Sequence, residues 1–287
     1  MNAFLPDRHL WLTAEQAHRA REDGTGAGIK VAIIDSGIDF THPDLATATI
    51  EDNVVLTEED GSLVVRDTGE AFDPHGHGTA VASILHRTAP QARLGSFRVF
   101  EAEQAAGSGR VIRGGVELAL KRGYQIINCS FGIRGQTASG RLSFFAENKE
   151  WADRAFFAGQ HVVAACNNEN HAATEWPAHF TSVVTVDGIH CDDDELFWSP
   201  GDFADFGARG VDVEVAWTRH ERLRVDGSSY AAPRVAGWIA RILSVHPQVD
   251  PVQMKGLLRL LAYERPRFRL QSGRSLARGA GSTRPRG

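Results

Sequence analysis

With 287 residues, 42% hydrophobic and 23% charged, the chain has the composition of a soluble globular protein and the length for one α/β domain to bury a full core. A net charge of −5 argues against nucleic acid as the main partner, because phosphate binding needs a basic face. Met1 to Leu12 contains Asp7, Arg8 and His9 and no apolar centre, and nowhere do about 18 apolar residues run together, so neither a secretion signal nor a membrane span is expected.

Thr13 to Glu22 reads as a short helix, with Thr13 as N-cap and Gln16 as its capping-box partner. Lys30 to Ile34 (KVAII) is β-branched on both parities, the pattern of a parallel strand buried on both faces, and it ends on Asp35. Glu51 to Asp67 reads as an irregular hairpin, and Gly76 to Leu85 as a helix of small residues with His77 at its entry and His75 just ahead. Arg93 to Phe100 is the next strand; Gly107, Ser108 and Gly109 then open a helix from about Arg110 to Arg122. Ile126 to Ser130, His161 to Cys166 and Thr181 to Val186 are further buried strands, with a helix near Leu142 to Ala158 between the first two. Shorter β-segments follow, Phe203 to Trp217 and Arg222 to Val225, then a helix from Ser228 with Val235, Ile239, Ile242 and Leu243 on its apolar face, and a last helix from Pro251 to Tyr263. Strands alternating with helices predict an α/β fold, a mainly parallel sheet with helices on both faces.

Residues 1–264 are expected to form one domain and 265–287 a basic tail. The tail has seven arginines, no acid and many Gly, Ser and Pro residues, a composition that predicts disorder. Since it contributes +7 to a total of −5, residues 1–264 carry −12. Cys129, Cys166 and Cys191 form no CxxC pair, which favours a reducing, cytoplasmic location.

In chain order stand an aspartate at a strand end (Asp35), a histidine at a helix start (His77), an asparagine after a buried strand (Asn167 or Asn168) and serines at another helix start (Ser228, Ser229). Acyl transfer requires these residue types. Serine needs a base to take its proton, histidine titrates near neutrality, aspartate fixes the histidine tautomer, and an amide can donate to the oxyanion. Taken singly, each has an ordinary structural reading as well, as N-cap, turn aspartate or hydrogen-bonded histidine.

At these residues the chain resembles the subtilisin-like serine proteases. The matching segments are VAIIDSGIDFTHPDL (Val31 to Leu45), HGTAVAS (His77 to Ser83), INCSFG (Ile127 to Gly132), VVAACNNE (Val162 to Glu169) and DGSSYAAPRVAG (Asp226 to Gly237). The resemblance implies a three-layer subtilisin-like α/β fold and a serine endopeptidase acting on peptide or protein substrates, with no cofactor and no catalytic metal. It makes Asp35, His77 and Ser229 the triad and Asn168 the oxyanion donor, selecting His77 over His75 and Ser229 over Ser228. Gly107, Ser108 and Gly109 on one side, and Ser130, Phe131 and Gly132 on the other, would be strand edges that hold the substrate backbone. Trp176-Pro177 resembles the aromatic-proline pair that follows the specificity-pocket floor, placing Glu175 near that floor and Glu169 at its rim, where a substrate Lys or Arg would be matched.

The chain departs from the family pattern in several places. Asn167 replaces a glycine, Tyr230 replaces a methionine after the nucleophile, and no calcium loop interrupts the histidine helix, so Asp44 is without its usual partners for calcium. No pro-domain is expected ahead of the first strand, and the Asp192-Asp193-Asp194-Glu195 cluster reads as a solvated loop. Two other activities fit the same residues: a transpeptidase or macrocyclase resolving the acyl-enzyme with an amine, and a non-catalytic peptide binder.

Overall fold

The computed structural model describes residues 12–101, 108–134, 143–168, 175–199 and 203–264. The tail from 265, Gly107 and Glu169 lie outside the described residues. Helix α1 (Ala14–Asp23) opens on the expected capping box: Thr13 Oγ1 accepts from the Gln16 amide and Gln16 Oε1 from the Thr13 amide. Next come β1 (Lys30–Asp35), the hairpin β2 (Thr49–Glu59) and β3 (Ser62–Asp67), α2 (His77–Thr88), β4 (Arg93–Arg98), α3 (Gly109–Lys121), β5 (Ile126–Cys129) and β6 (Ile133–Arg134). They are followed by α4 (Ser143–Phe157), β7 (His161–Ala165), β8 (Glu175–Trp176), β9 (Val184–Ile189), β10 (Leu196–Trp198) and β11 (Phe206–Arg209). A second hairpin, β12 (Val213–Ala216) and β13 (Arg222–Val225), leads to α5 (Ser228–Val245), α6 (Pro251–Leu261) and β14 (Tyr263–Glu264).

One sheet runs in the order β14-β10-β11-β9-β7-β5-β1-β4-β2-β3, and every pairing from β11 to β2 is parallel. The β-branched run of β1 serves both faces, because alternate side chains point opposite ways. Ile33 joins Leu94, Val163, Val235 and Ile239 in the core under α1, α2, α5 and α6, while Ile34 joins Phe97, Val116, Ile127 and Trp151 under α3 and α4. The result is a three-layer α/β fold. The sheet extends from β1 in both directions, to β4 and β2 on one side and to β5, β7, β9 and β11 on the other. Asp35 therefore ends the strand at the topological switch point, where an open parallel sheet has its ligand crevice.

The structure corrects several expectations. β9 begins at Val184 rather than Thr181, because the Val183 amide is still turned back onto the Phe180 carbonyl. Only Phe206–Arg209 and Val213–Ala216 of the expected 203–217 β-segment are strands. Helix α5 is buried all round rather than along one stripe, since it runs through the middle of its layer; even Arg234 is only 4% exposed, ion-paired to Asp193 at 3.1 Å. Arg209 is also 3.0 Å from Asp193, so this one member of the acidic cluster is held by two guanidiniums, while Asp192, Asp193 and Asp194 are exposed, as a solvated loop requires. No helix among the described residues is long and apolar enough to cross a membrane.

Candidate active site

At the switch point the Asp35 side chain is almost fully buried (2% exposed), and Oδ1 accepts from the Ser36 amide at 2.8 Å and contacts His77 Nδ1 at 2.8 Å. His77 is the first residue of α2, so helix entry and strand end meet here. Its side chain is about a quarter open to solvent, at 28% exposure. Burial works against its protonation, but the charge of Asp35, the hydrogen bond to Asp35 and the charge of Asp73 outweigh it, and the pKa is raised. His75 is turned elsewhere, with Nε2 3.0 Å from the Glu101 carbonyl.

The two serines at the start of α5 have different fates. Ser228 is buried, with its hydroxyl on the Cys166 carbonyl at 2.6 Å and its amide on Asn168 Oδ1 at 2.8 Å. Ser229 is half-buried and lines a cavity of about 190 Å³; its hydroxyl donates to the Ser130 carbonyl at 3.0 Å. A hydroxyl carries one proton, so in this state Ser229 is not donating to His77. The Tyr230 ring, on the next residue, packs 5.5 Å from the His77 ring, and burial followed by the charge of Asp35 pushes its phenol up to about 12. The chain enters α5 through Gly227 at φ 153° and ψ 154°, a conformation essentially reserved for glycine.

Because the Ser228 amide donates to Asn168 Oδ1, the other end of the Asn168 side chain is the NH₂ donor. Asn168 lines the same cavity as Ser229, together with Phe131, Gly132, Ala165, Cys166, Asn167 and Glu175. Ser229's own N–H belongs to the first-turn donors that lack an intrahelical acceptor. Ser229 thus shares its cavity with the Asn168 side chain, while the His77 ring, backed by Asp35, packs against Tyr230, the residue next to Ser229.

Glu175 is 9% exposed and accepts from Asn167 Nδ2 through Oε1. A Cβ on residue 132 would stand 2.1 Å from Glu175 Oε2, so the carboxylate lies directly against Gly132 and a larger residue there would displace it. β8 carries Glu175 into place by pairing with β6, Glu175 opposite Arg134 and Trp176 opposite Ile133.

Residues 26–281 match the subtilase family, peptidase S8. The chain belongs to the subtilase family. It is 32% identical over 250 residues to subtilisin E of Bacillus subtilis (strain 168), covering 82% of this chain and 60% of that protein, so it spans less than two thirds of that relative. Subtilisin of Bacillus pumilus is also 32% identical, over 82% of this chain and 83% of its own length. Among solved structures, a lanthipeptide protease superposes with a TM-score of 0.68 at 23% identity, covering 87% of this chain and 85% of that one. A cold-adapted subtilisin-like serine proteinase gives 0.65 at 23% identity, with 83% of each chain covered. These likenesses make the three-layer fold of this subtilase a subtilisin-like one.

Two features of this subtilase differ from what its sequence suggests. Ser108 and Gly109 do not form a strand edge: Ser108 is the N-cap and Gly109 the first residue of α3, and the Ser108 hydroxyl donates to Glu58 at 2.7 Å. Gly109 is already helical, while Ser108 keeps non-helical backbone at φ −56° and ψ 132°. Ser130 to Gly132 do follow β5 in non-helical backbone, with Phe131 and Gly132 on the cavity wall. Asp44 is held by Arg222, with Nε 3.1 Å from Oδ2 and a second contact to Oδ1. That hydrogen bond lowers the Asp44 pKa.

The residue that sequence reasoning missed is Asp73. It is buried within α2's approach, and its charge is one of those that raise the His77 pKa. The available signal was an acid four positions before the helix-entry histidine, ahead of a Gly76 that cannot cap.

Proposed function

We propose that this subtilase is a serine endopeptidase that hydrolyses peptide bonds through an acyl-enzyme on Ser229. The observation that supports this reading is the 2.8 Å Asp35–His77 pair, with the His77 ring against Tyr230, the neighbour of a helix-start Ser229 that shares a cavity with Asn168. Substrate binding turns the Ser229 hydroxyl from the Ser130 carbonyl to His77 Nε2, which takes its proton as Oγ attacks the scissile carbonyl. Asn168 Nδ2 and the Ser229 amide stabilise the oxyanion, and Asp35 stabilises the imidazolium without being protonated. His77 then gives the proton to the leaving amine, and a water repeats the sequence to free the acid.

Glu175 makes Lys or Arg the preferred residue before the scissile bond. A carboxylate on the wall of the cavity that Ser229 lines offers a substrate cation an opposite charge that an apolar side chain cannot use. The charge of −12 on residues 1–264 favours approach of basic peptides. Cys129, Cys166 and Cys191 are all unbridged, in keeping with action in a reducing compartment. The test is mass spectrometry of a peptide library incubated with wild type and with Ser229→Ala. Internal cleavage after Arg or Lys by wild type alone supports the reading. Joined or cyclised peptides would move it to acyl transfer onto amines, and no product with wild type would overturn it.

A further inference from the structure

Asp73 makes five hydrogen bonds from a site that is only 5% exposed. Oδ1 accepts from the Ser36 hydroxyl (2.8 Å), the His75 amide (3.0 Å) and the Gly76 amide (2.8 Å). Oδ2 accepts from the Thr79 amide (2.8 Å) and hydroxyl (2.7 Å). Helix α2 begins after Gly76, which has no side chain to cap it. The cap is assembled from elsewhere, with the Thr79 amide on Asp73 and the Gly78 amide on Ser36 Oγ at 3.1 Å. One carboxylate thereby holds both ends of the Asp35–His77 pair. On the helix side it fixes residues 75–79, which carry His77. On the strand side it holds Ser36, whose amide is on Asp35 Oδ1. Asp35 depends on that grip, since its Oδ2 is buried with no hydrogen-bond partner among the described residues.

We propose that Asp73 is a positioning residue for the proton transfer, a second buried carboxylate that sets the geometry of the Asp35–His77 pair. Five donors converge on the two Asp73 oxygens, and the Asp73 charge is one of the causes that raise the His77 pKa. The other titratable groups around the pair leave that effect to the two carboxylates. Tyr230, from α5, is pushed up to about 12 and stays neutral. Cys129, at the end of β5, is pushed up by burial and by Asp35 and stays a thiol. Arg98, at the end of β4, stacks over Phe72 at 5.0 Å, and His75 faces the Glu101 carbonyl.

This inference rests on the proteolytic reading only for its kinetic consequence, and its primary readout needs no turnover. His77 can be titrated by NMR in protein carrying ¹³C-labelled histidine, its signal assigned by loss in His77→Asn. Asp73→Asn should lower the His77 midpoint, and Asp73→Glu should restore much of it. With peptide substrates the same Asp73→Asn change should lower kcat by on the order of 10- to 100-fold with little change in KM, as expected for a misplaced catalytic pair. The acid limb of the pH profile should shift to lower pH. A folded Asp73→Asn protein with an unmoved His77 midpoint overturns the proposal, because a merely structural cap would lower the Tm without moving the midpoint. Should Asp73→Asn fail to fold, Ser36→Ala breaks the bridge and spares the charge. It should slow fluorophosphonate labelling of Ser229 several-fold, and an unchanged rate overturns the positioning role. An inactive wild type with a shifted midpoint would remove the proteolytic reading and leave this one standing.

Discussion

Replacing Asn168 separates two functions that its side chain combines. Asn168→Ala removes the Nδ2 donor proposed for the developing oxyanion and the Oδ1 acceptor of the Ser228 amide. Loss of one oxyanion donor costs on the order of 10²–10³ in kcat, about 2.7–4 kcal/mol, a range set by subtilisin itself. The lost bond to Ser228 costs about 0.5–1.5 kcal/mol of stability. For a protein of this size each kcal/mol is worth about 2–4 °C in Tm. Asn168→Asp keeps an acceptor for the Ser228 amide and adds negative charge at the α5 N-terminus, favourable by about 0.3–1 kcal/mol. Its Tm should equal or exceed that of wild type. An acceptor-only group facing a developing negative oxygen should nevertheless leave kcat at least as low as in Asn168→Ala. KM should change little in either variant, because the interaction is made in the transition state. Steady-state kinetics on an Arg-containing peptide, paired with thermal scans, measures both quantities. If Asn168→Ala keeps kcat within about threefold of wild type, a loss far below that of an oxyanion donor, the assignment is wrong.

The remaining expectations concern pH, specificity and metal. Activity should rise with pH through a His77 value above the ordinary ~6.5, since the base must be neutral to accept the Ser229 proton. Stability should respond in the opposite sense. The raised pKa means that the contribution of the charged Asp35–His77 pair is fully present below about pH 6.5 and lost as pH rises through the folded value, and the pH slope of Tm should flatten in His77→Ala. Glu175→Gln should abolish the preference for Arg over Leu in matched peptides, and Gly132→Ala, which drives a methyl to 2.1 Å from Glu175 Oε2, should weaken it. An Arg preference unchanged in Glu175→Gln would remove Glu175 from the pocket. EGTA should leave the Tm where it is, while Arg222→Ala, which frees Asp44, should lower it; a drop of many degrees with EGTA in wild type would show that a bound ion does work assigned to Arg222.

Local patterns in the chain predicted its local structure well. The Thr13–Gln16 capping box, the two-faced run into Asp35 and the helix entry at His77 each follow from a few neighbouring residues, and each stands where the sequence places it. What could not be read depends on distant partners. β2 looks like half of a hairpin, yet it also lies parallel to β4, a pairing no local pattern reveals. β10 and β14 are too short for any periodicity and exist because a sheet edge is available to them. The burial of Arg234 is decided by Asp193. Asp73 escaped notice for the same reason, because its importance lies in Ser36 and Thr79, which flank it in space.

The most direct measurement of the central claim is covalent labelling with a fluorophosphonate, followed by peptide mapping. The account predicts one modified residue, Ser229, in wild type, with no label on Ser229→Ala and strongly slowed labelling of His77→Ala. Equal labelling of Ser229→Ala, or a label mapped to Ser228, would contradict it.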